Sequence, residues 1–285
     1  MSLKDIRGRI NSVTVTLKIT DVTRMISSAK LHKAQNTLRT FSKFKNETEE
    51  LFFALVSGAS IPLSEKRQTT KNVVIAAISS NSSLCGAFNL NLIRQTGDTV
   101  NKYKKSGADV TLYAFGKKVY DAFIGDKSIN VKGPYYDLIM RPDYNSFTPV
   151  AEEIIGLYAK KEADAVEAVY NHFKNILTQY PVSEKILPIT IPEEKQDSKF
   201  ENYILEPDKE ELISFLTPQT IKLMLYEKLL ESAAAEHGAR TSAMQAASDN
   251  AMELIDELSL KYNKLRQASI TKEILDIVGG AEALR

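Results

Sequence analysis

The residue types that most often carry out chemistry are few in this chain and widely spaced. Its 285 residues include one cysteine, Cys85, and three histidines, His32, His172 and His237. A single cysteine cannot form an internal disulfide bond or a paired-cysteine zinc site, and the histidines lack the spacing of metal ligands. Cys85 has no histidine nearby in the sequence, and the candidate residues form no catalytic constellation. The sequence therefore predicts a non-catalytic protein without a metal, from a reducing compartment, in which Cys85 is a small buried residue.

Phosphate binding would require a glycine-rich loop that follows a strand. No G-x-G-x-x-G or G-x-x-x-x-G-K-[ST] occurs, and the Gly-Lys-Lys segment at 116–118 lacks the earlier glycine of such a loop. The Asn-Ser-Ser segment at 81–83 precedes a predicted helix, so we expect it to cap that helix. The sequence predicts no cofactor.

A heptad pattern runs through residues 1–57 and predicts one long helix. Within it, residues 13–20 alternate between apolar and polar types, which is typical of a half-buried strand. Length favours the helix, because the strand explains eight residues and the heptad more than fifty. The predicted seam consists of Ile6, Ile10, Val13, Leu17, Thr20, Arg24, Ser27, Leu31, Ala34, Leu38, Phe41, Lys45, Thr48, Phe52 and Leu55.

A second long helix is predicted for residues 217–285. Thr217 is its expected N-cap and Pro218 its expected first residue. The helix would be about 100 Å long at roughly 1.5 Å per residue, and the two seams would satisfy each other as an antiparallel coiled coil. Since the second helix is longer, part of it should face another protein. Its seam consists of Leu223, Tyr226, Leu230, Ala233, His237, Arg240, Met244, Ala247, Ala251, Ile255, Leu258, Tyr262 and Leu265, and restarts at Ile270, Ile274, Ile277, Ala281 and Leu284.

The middle of the chain changes from helical periodicity to alternating strands and helices, which predicts a Rossmann-like α/β domain with a mostly parallel sheet. Strands are expected at 73–78, 108–115, 166–173 and 186–191, and helices at 84–103, 117–123 and 147–161. The whole chain is thus predicted as an α/β protein with a long antiparallel coiled coil. Its segments are the N-terminal helix 1–57, a linker 58–72, the α/β domain 73–192, a linker and foot segment 193–216, and the C-terminal helix 217–285.

The overall charge of +1 conceals a strong polarity along the chain. Residues 1–45 contain ten Lys or Arg and two Asp, a net charge of +8, which leaves −7 for the remainder. On charge alone, this basic helix is compatible with nucleic-acid binding. The longest apolar run, 51–63, is shorter than the roughly 20 residues of a membrane-spanning helix, so we expect any membrane contact to occur through a partner.

Several motifs resemble the gamma subunit of bacterial F-type ATP synthases. The segment 270–281 matches its terminal signature I-T-x-E-x-x-[DE]-x-x-x-G-A, and 262–268 matches Y-N-K-x-R-Q-A. The segment 79–89 is similar to its central S-S-D-R-G-L-C-G-x-x-N, except that Asn-Ser-Ser replaces Asp-Arg-Gly, which leaves any charge interaction of that loop in doubt. Residues 203–208 match Y-x-x-E-P-D. The matching segments occur in the family's order along the whole chain.

This resemblance implies a non-catalytic rotor subunit in the central stalk, which transmits torque between a membrane c-ring and the catalytic hexamer and couples proton or other ion flow to ATP synthesis or hydrolysis. The implied partners are three alpha and three beta subunits per chain, the epsilon subunit and the c-ring, with no nucleic acid. The implied location is peripheral, at the cytoplasmic face of the bacterial plasma membrane.

The resemblance also implies a role for individual residues. Arg266 and Gln267 match positions that bind a loop of one beta subunit, and Met25 and Lys30 match the zone that faces the acidic lever of beta. Tyr203 and Glu206 match the foot that meets epsilon and the c-ring. Without the family motifs, a non-rotary coiled-coil adaptor would explain the helices equally well. An enzyme with a nucleotide site on the sheet is a third, less favoured hypothesis.

Overall fold

A computed structural model describes residues 2–56, 61, 63–65, 67, 69–191 and 205–282. Two long helices enclose an alternation of strands and shorter helices along the chain. The elements are α1 (Leu3–Val56), β1 (Asn72–Ile78), α2 (Phe88–Lys105), β2 (Asp109–Phe115), α3 (Lys117–Phe123), β3 (Asn130–Lys132), α4 (Tyr136–Met140), α5 (Tyr144–Ala159), β4 (Ala165–Phe173), β5 (Gln179–Leu187) and α6 (Lys209–Glu282).

The chain forms two compact units, and both long helices contribute to each of them. Met1–Ser27 and Thr241–Arg285 form the first, which we call the helix-end unit. Ser28–Arg240 forms the second, which we call the sheet unit. The predicted division into five segments remains a prediction, apart from the element ends discussed below.

The sheet unit contains one sheet in the order β3-β2-β1-β4-β5. β1 pairs in parallel with β2 and β4, β3 is parallel to β2, and only β5 is antiparallel. The side chains of β1 alternate between the two faces of the sheet. Val74, Ala76 and Ile78 belong to one core cluster. Val73 and Ile75 join the other. The predicted mostly parallel sheet, covered on both faces, is therefore confirmed.

The predicted seams agree with the burial of both long helices. Every seam residue of α1 is buried or half-buried, and so is every seam residue of α6 from Leu223 to Leu265. In the sheet unit, Lys45 Nζ lies 3.0 Å from Glu227 Oε2. The charge of Lys30, earlier in α1, acts on Glu236, later in α6. The two helices therefore run antiparallel there. Residues 13–20 lie within α1, so the strand alternative for them is wrong.

The C-terminal helix begins nine residues earlier than predicted. It starts at Lys209, and Asp208 accepts a hydrogen bond from the Glu211 backbone N–H at 2.8 Å, as an N-cap residue does. The predicted cap and first position, Thr217 and Pro218, therefore lie inside α6, where Thr217 Oγ1 donates to the Ile213 carbonyl at 2.6 Å. Pro218 is in the third turn of α6, where it removes one backbone donor, and the helix continues through it.

Other predicted boundaries also differ from the structure. α2 begins at Phe88 because Leu84 and Gly86 have φ of +68° and +57°, which a helix cannot include. The last strand is Gln179–Leu187 rather than 186–191. β3 and α4 were not predicted. Within the predicted linker 58–72, Ile61 and Leu63 belong to the core, and no helix among the described residues could cross a membrane.

Candidate partner-binding surfaces

The cysteine and two of the histidines, which are the side chains most able to react, make contacts within the fold. Cys85 is buried, and burial raises the pKa of its thiol, whose Sγ accepts a hydrogen bond from Asn89 Nδ2 at 3.1 Å. His237 is half-buried on α6, and its pKa is lowered to about 4, first by burial and then by the charges of Arg240 and Lys30. The Nδ1 atom of His172 lies 2.5 Å from Glu231 Oε1. The prediction that Cys85 is a buried residue is confirmed.

The carboxyl edge of the parallel strands, where ligands bind in open α/β folds, is occupied by α6. Ser232, which is 2% exposed, donates its hydroxyl to the carbonyl of Ile78 at the end of β1, at 3.1 Å. At the end of β4, Glu231 Oε1 accepts the backbone N–H of Phe173 at 3.1 Å. The helix therefore takes the place that a nucleotide takes in folds of this type.

The Asn-Ser-Ser segment at 81–83 does not cap α2, contrary to the prediction. Asn81 accepts the Lys117 backbone N–H at 3.0 Å and donates to the Tyr136 carbonyl at 2.9 Å. Ser82 Oγ accepts a hydrogen bond from Arg240 at 2.8 Å. The segment thus connects the end of β1 with α3, α4 and α6, which is a structural task that requires small polar side chains.

A basic groove of about 500 Å³ opens beside this segment. It contains Lys30 and Lys33 from α1, Arg141 from the end of α4, and Arg240 from α6. The only acidic residue that lines it among the described part of the chain is Glu236, which is buried and paired with Arg240 at 2.7 Å. The predicted contact residue Lys30 is exposed here. The groove therefore carries net positive charge.

In the helix-end unit, α1 carries an exposed apolar stripe in addition to its seam. Its members follow each other at intervals of four, three and four residues, so they share one helix face. The stripe consists of Val15, Ile19, Val22 and Ile26, all more than half exposed. The predicted contact residue Met25 is 59% exposed beside it. Val15 and Ile19 from this stripe alternate with two seam residues, which explains the misleading strand pattern in residues 13–20.

The last turns of α6 are the second apolar surface of the helix-end unit. Burial along its seam ends at Leu265, and the predicted contact residues Arg266 and Gln267 are exposed. Beyond them the apolar residues of the helix face solvent: Ile270, Ile274, Leu275, Ile277 and Val278, which are between 49% and 71% exposed. The structure thus agrees with the expectation that α6 extends past the part that is covered.

The foot residues predicted from the sequence are only partly described. Tyr203 lies outside the described residues. Glu206 is exposed in the sheet unit, close to the start of α6. Of the other predicted contact residues, Lys30 also belongs to the sheet unit, whereas Met25, Arg266 and Gln267 belong to the helix-end unit. The sequence reasoning missed Lys33 and Arg141, which meet only in the folded sheet unit, and the apolar stripe, whose spacing was visible in the sequence.

Comparisons with known proteins agree on one family. The profile of a family described as ATP synthase matches residues 2–284. The ATP synthase gamma chain of Christiangramia forsetii is 42% identical over 290 residues, with 99% of each chain covered. That of Bacteroides fragilis is 40% identical over 290 residues, again with 99% of each chain covered.

Solved structures with low sequence identity have a similar fold. A chain in the mitochondrial ATP synthase of Euglena gracilis, determined with OSCP, F1 and the c-ring, is 18% identical with a TM-score of 0.66, covering 99% of this chain and 94% of that one. A chain in the central stalk and c-ring of the Tetrahymena thermophila mitochondrial ATP synthase is 20% identical with a TM-score of 0.55, covering 81% and 99%. The similarity to the Euglena gracilis chain covers 99% of this chain and so includes both long helices and the sheet.

Proposed function

Because the chain belongs to the family of ATP synthase gamma chains, we propose that it is the central-stalk rotor subunit of an F-type ATP synthase. In this role it performs no bond chemistry. It transmits torque between a membrane c-ring and a catalytic hexamer, and so couples ion flow to ATP synthesis or hydrolysis. The non-rotary adaptor is not needed to explain any observation.

The observation that carries the proposal is the exposed apolar surface of the helix-end unit. Soluble proteins rarely leave such contiguous apolar surfaces uncovered unless a partner binds them. Here the stripe on α1 and the last turns of α6 expose apolar residues along long, single helices. A sleeve formed by the alpha and beta subunits would cover both surfaces and hold the helices on their axis.

A rotor of this kind acts through unequal contacts. A ligand shifts a conformational equilibrium only by binding one state more tightly than another. One asymmetric chain inside three alpha and three beta subunits touches each beta subunit differently, and therefore favours a different conformation in each. Rotation by the c-ring then changes which beta subunit receives which contact.

Specific side chains are assigned to these contacts. Arg266 and Gln267 are exposed and offer guanidinium and amide donors to a loop of one beta subunit. Lys30, in the basic groove, faces an acidic lever of beta, where a long cation tolerates a changing partner. Met25 supplies a flexible apolar contact there.

The remaining partners are assigned to the foot segment. Tyr203 and Glu206 contact epsilon and the c-ring, so the chain is held at the cytoplasmic face of the bacterial plasma membrane through its partners. The proposed complex contains one copy of this chain for three alpha and three beta subunits.

Reconstitution tests the proposed function. The chain is mixed with purified alpha and beta subunits of the same enzyme, and the products are separated by size and assayed for ATP hydrolysis. We expect an active complex with a 3:3:1 subunit ratio. Failure of folded components to assemble, or a complex of the same activity without this chain, would contradict the rotor assignment.

Arg266→Ala tests the assigned contact with beta. We expect ATP-driven proton pumping by the complete complex to fall roughly fivefold to tenfold. A hydrogen bond to a charged group contributes about 1.5–3 kcal/mol, and hydrogen bonds to water compensate part of that free energy in the variant. Lys264→Ala is the matched control, since Lys264 is an exposed cation two residues away on the same helix. Equal pumping by the two variants would refute the contact.

A further inference from the structure

α6 is fastened to the sheet by directional hydrogen bonds as well as by apolar packing. We call Glu231 and Ser232 the sheet anchor. Ser232 binds the end of β1 through the Ile78 carbonyl, and Glu231 binds the end of β4 through the Phe173 backbone N–H. Both strand ends belong to the central parallel pair of the sheet. Adjacent residues of one helix therefore hold two adjacent strands.

Glu231 makes two polar contacts with the end of β4. Its Oε1 atom lies 3.1 Å from the Phe173 backbone nitrogen and 2.5 Å from His172 Nδ1, both on β4. Its side chain is 12% exposed, and burial raises the pKa of this carboxyl. The nearby charges of Lys228 and Glu227, on the same helix, act in opposite directions. Such a desolvated carboxylate is costly unless its partners are well placed.

The helix surface next to the anchor is shaped for the same strand. A Cβ atom at Gly238 would lie 3.0 Å from Phe173 Cε2 and 3.3 Å from Gln179 Nε2. Glycine at this position therefore allows the β4–β5 hairpin to approach α6 closely. The close approach brings the Phe173 N–H within reach of Glu231.

The anchor differs physically from the apolar contacts around it. Ile221, Leu225 and Leu229 of α6 pack into the core cluster, but hydrophobic contact has no preferred direction. A hydrogen bond weakens steeply when its angle falls below about 120°. Close-packed apolar side chains oppose a twisting load through their shape alone, and the anchor adds bonds with a fixed direction that oppose rotation of α6 about its own axis.

We propose that Glu231 and Ser232 are positioning residues that lock α6 to the sheet, so that the sheet unit turns as one rigid body when torque passes through it. The proposal rests on the proposed rotor function. It assigns torque transfer inside the subunit to two side chains that touch no partner surface discussed above.

The test uses the complete ATP synthase in sealed vesicles, with this chain carrying Glu231→Ala. The readout is protons pumped per ATP hydrolysed, measured on vesicles washed free of detached hydrolytic subunits, so that the number of assembled complexes cancels from the ratio. We expect this ratio to fall roughly twofold to tenfold while ATP hydrolysis continues, as mutations that weaken an internal coupling do. Asp98→Ala is the matched control, because Asp98 is an exposed carboxylate on α2 without a hydrogen bond or ion pair among the described residues.

Two milder variants keep the proposal open to refutation if Glu231→Ala does not assemble. Glu231→Gln retains an acceptor for the Phe173 N–H and should lose less coupling than the alanine variant. Ser232→Ala removes only the bond to Ile78 and should give a smaller loss of its own. A wild-type ratio in all assembled anchor variants would overturn the proposal. Failure of the wild-type chain itself to assemble would instead reject the rotor function.

Discussion

The helix-end unit and the sheet unit bury very different kinds of residues. The sheet unit has large apolar clusters, and the largest contains fully buried side chains such as Phe52, Tyr113 and Tyr158. The helix-end unit instead buries a narrow seam in which small and polar residues are frequent: Ile6, Thr20, Ser27, Met244, Ser248, Ala251 and Leu258. Much of its apolar surface remains exposed. The difference indicates that the sheet unit is stabilised by its own core, whereas the helix-end unit leaves apolar residues exposed, which the proposed function assigns to partner contacts.

The largest expected difference between the units is in the response to loss of a leucine. Leu229 and Leu260 are both on α6, but Leu229 is 0% exposed in the sheet unit and Leu260 is 65% exposed in the helix-end unit. We expect Leu229→Ala to lower the free energy of unfolding by about 3–5 kcal/mol. Leu260→Ala should change it by no more than about 0.5 kcal/mol. Urea unfolding of the full chain, followed by circular dichroism, measures both, and equal losses would remove the contrast.

Two glycines should respond to alanine with opposite signs. Gly116 has φ of +98°, and an added Cβ would lie 2.4 Å from the Ser79 carbonyl oxygen, so Gly116→Ala should cost about 2–3 kcal/mol. Gly8 lies in α1 with nothing within 4 Å of its added Cβ, so Gly8→Ala should stabilise the helix by about 0.5–1 kcal/mol. Thermal unfolding of the two variants decides the signs. A stable Gly116→Ala protein would show that the close approach to Ser79 is not required.

The buried seam of the sheet unit should make stability sensitive to acid. Burial lowers the pKa of His237 from 6.5 to about 4, so the unfolded chain binds more protons between these values. Stability is therefore lost as pH falls through this range, and we expect about 1–2 kcal/mol of loss from His237 between pH 7 and pH 5. Urea unfolding at both pH values, compared with His237→Gln, isolates this contribution. An unchanged pH dependence in the variant would contradict the lowered pKa.

The polar seam of the helix-end unit should show the smallest effect. Thr20 Oγ1 and Ser248 Oγ are 2.8 Å apart and both residues are buried. Thr20→Val alone should cost about 1 kcal/mol, because Ser248 loses its buried partner. The double variant Thr20→Val with Ser248→Ala should recover most of this loss, since both polar groups are then removed. A double-mutant cycle by thermal unfolding measures the coupling, and strictly additive losses would rule out an important hydrogen bond.

Periodic features of the fold were predictable from the sequence, and features that depend on distant contacts were not. The seams were predictable because each heptad position repeats its environment every two turns. The start of α6 was not predictable, because a proline is compatible both with the first position of a helix and, as Pro218 shows, with a position inside one. α2 begins late because Leu84 adopts a positive φ, which a non-glycine residue gives no sign of in the sequence.

The candidate surfaces were predictable only where a family motif marked single residues. Met25, Lys30, Arg266 and Gln267 were selected by family resemblance, and all four are exposed. Their contacts with beta subunits remain predictions. The basic groove had no local signal, because Lys33 and Arg141 come from segments far apart in the chain.

The sequence by itself determined the two long helices, the parallel sheet and the family, because helix and strand periods and short motifs are written in neighbouring residues. Only the tertiary structure decided that α6 fills the carboxyl edge of the sheet. That arrangement depends on pairs such as Ser232 and Ile78, which are 154 residues apart. No local pattern encodes such a pair, since a serine in a helix has the same neighbours whether its hydroxyl faces solvent or the end of a strand.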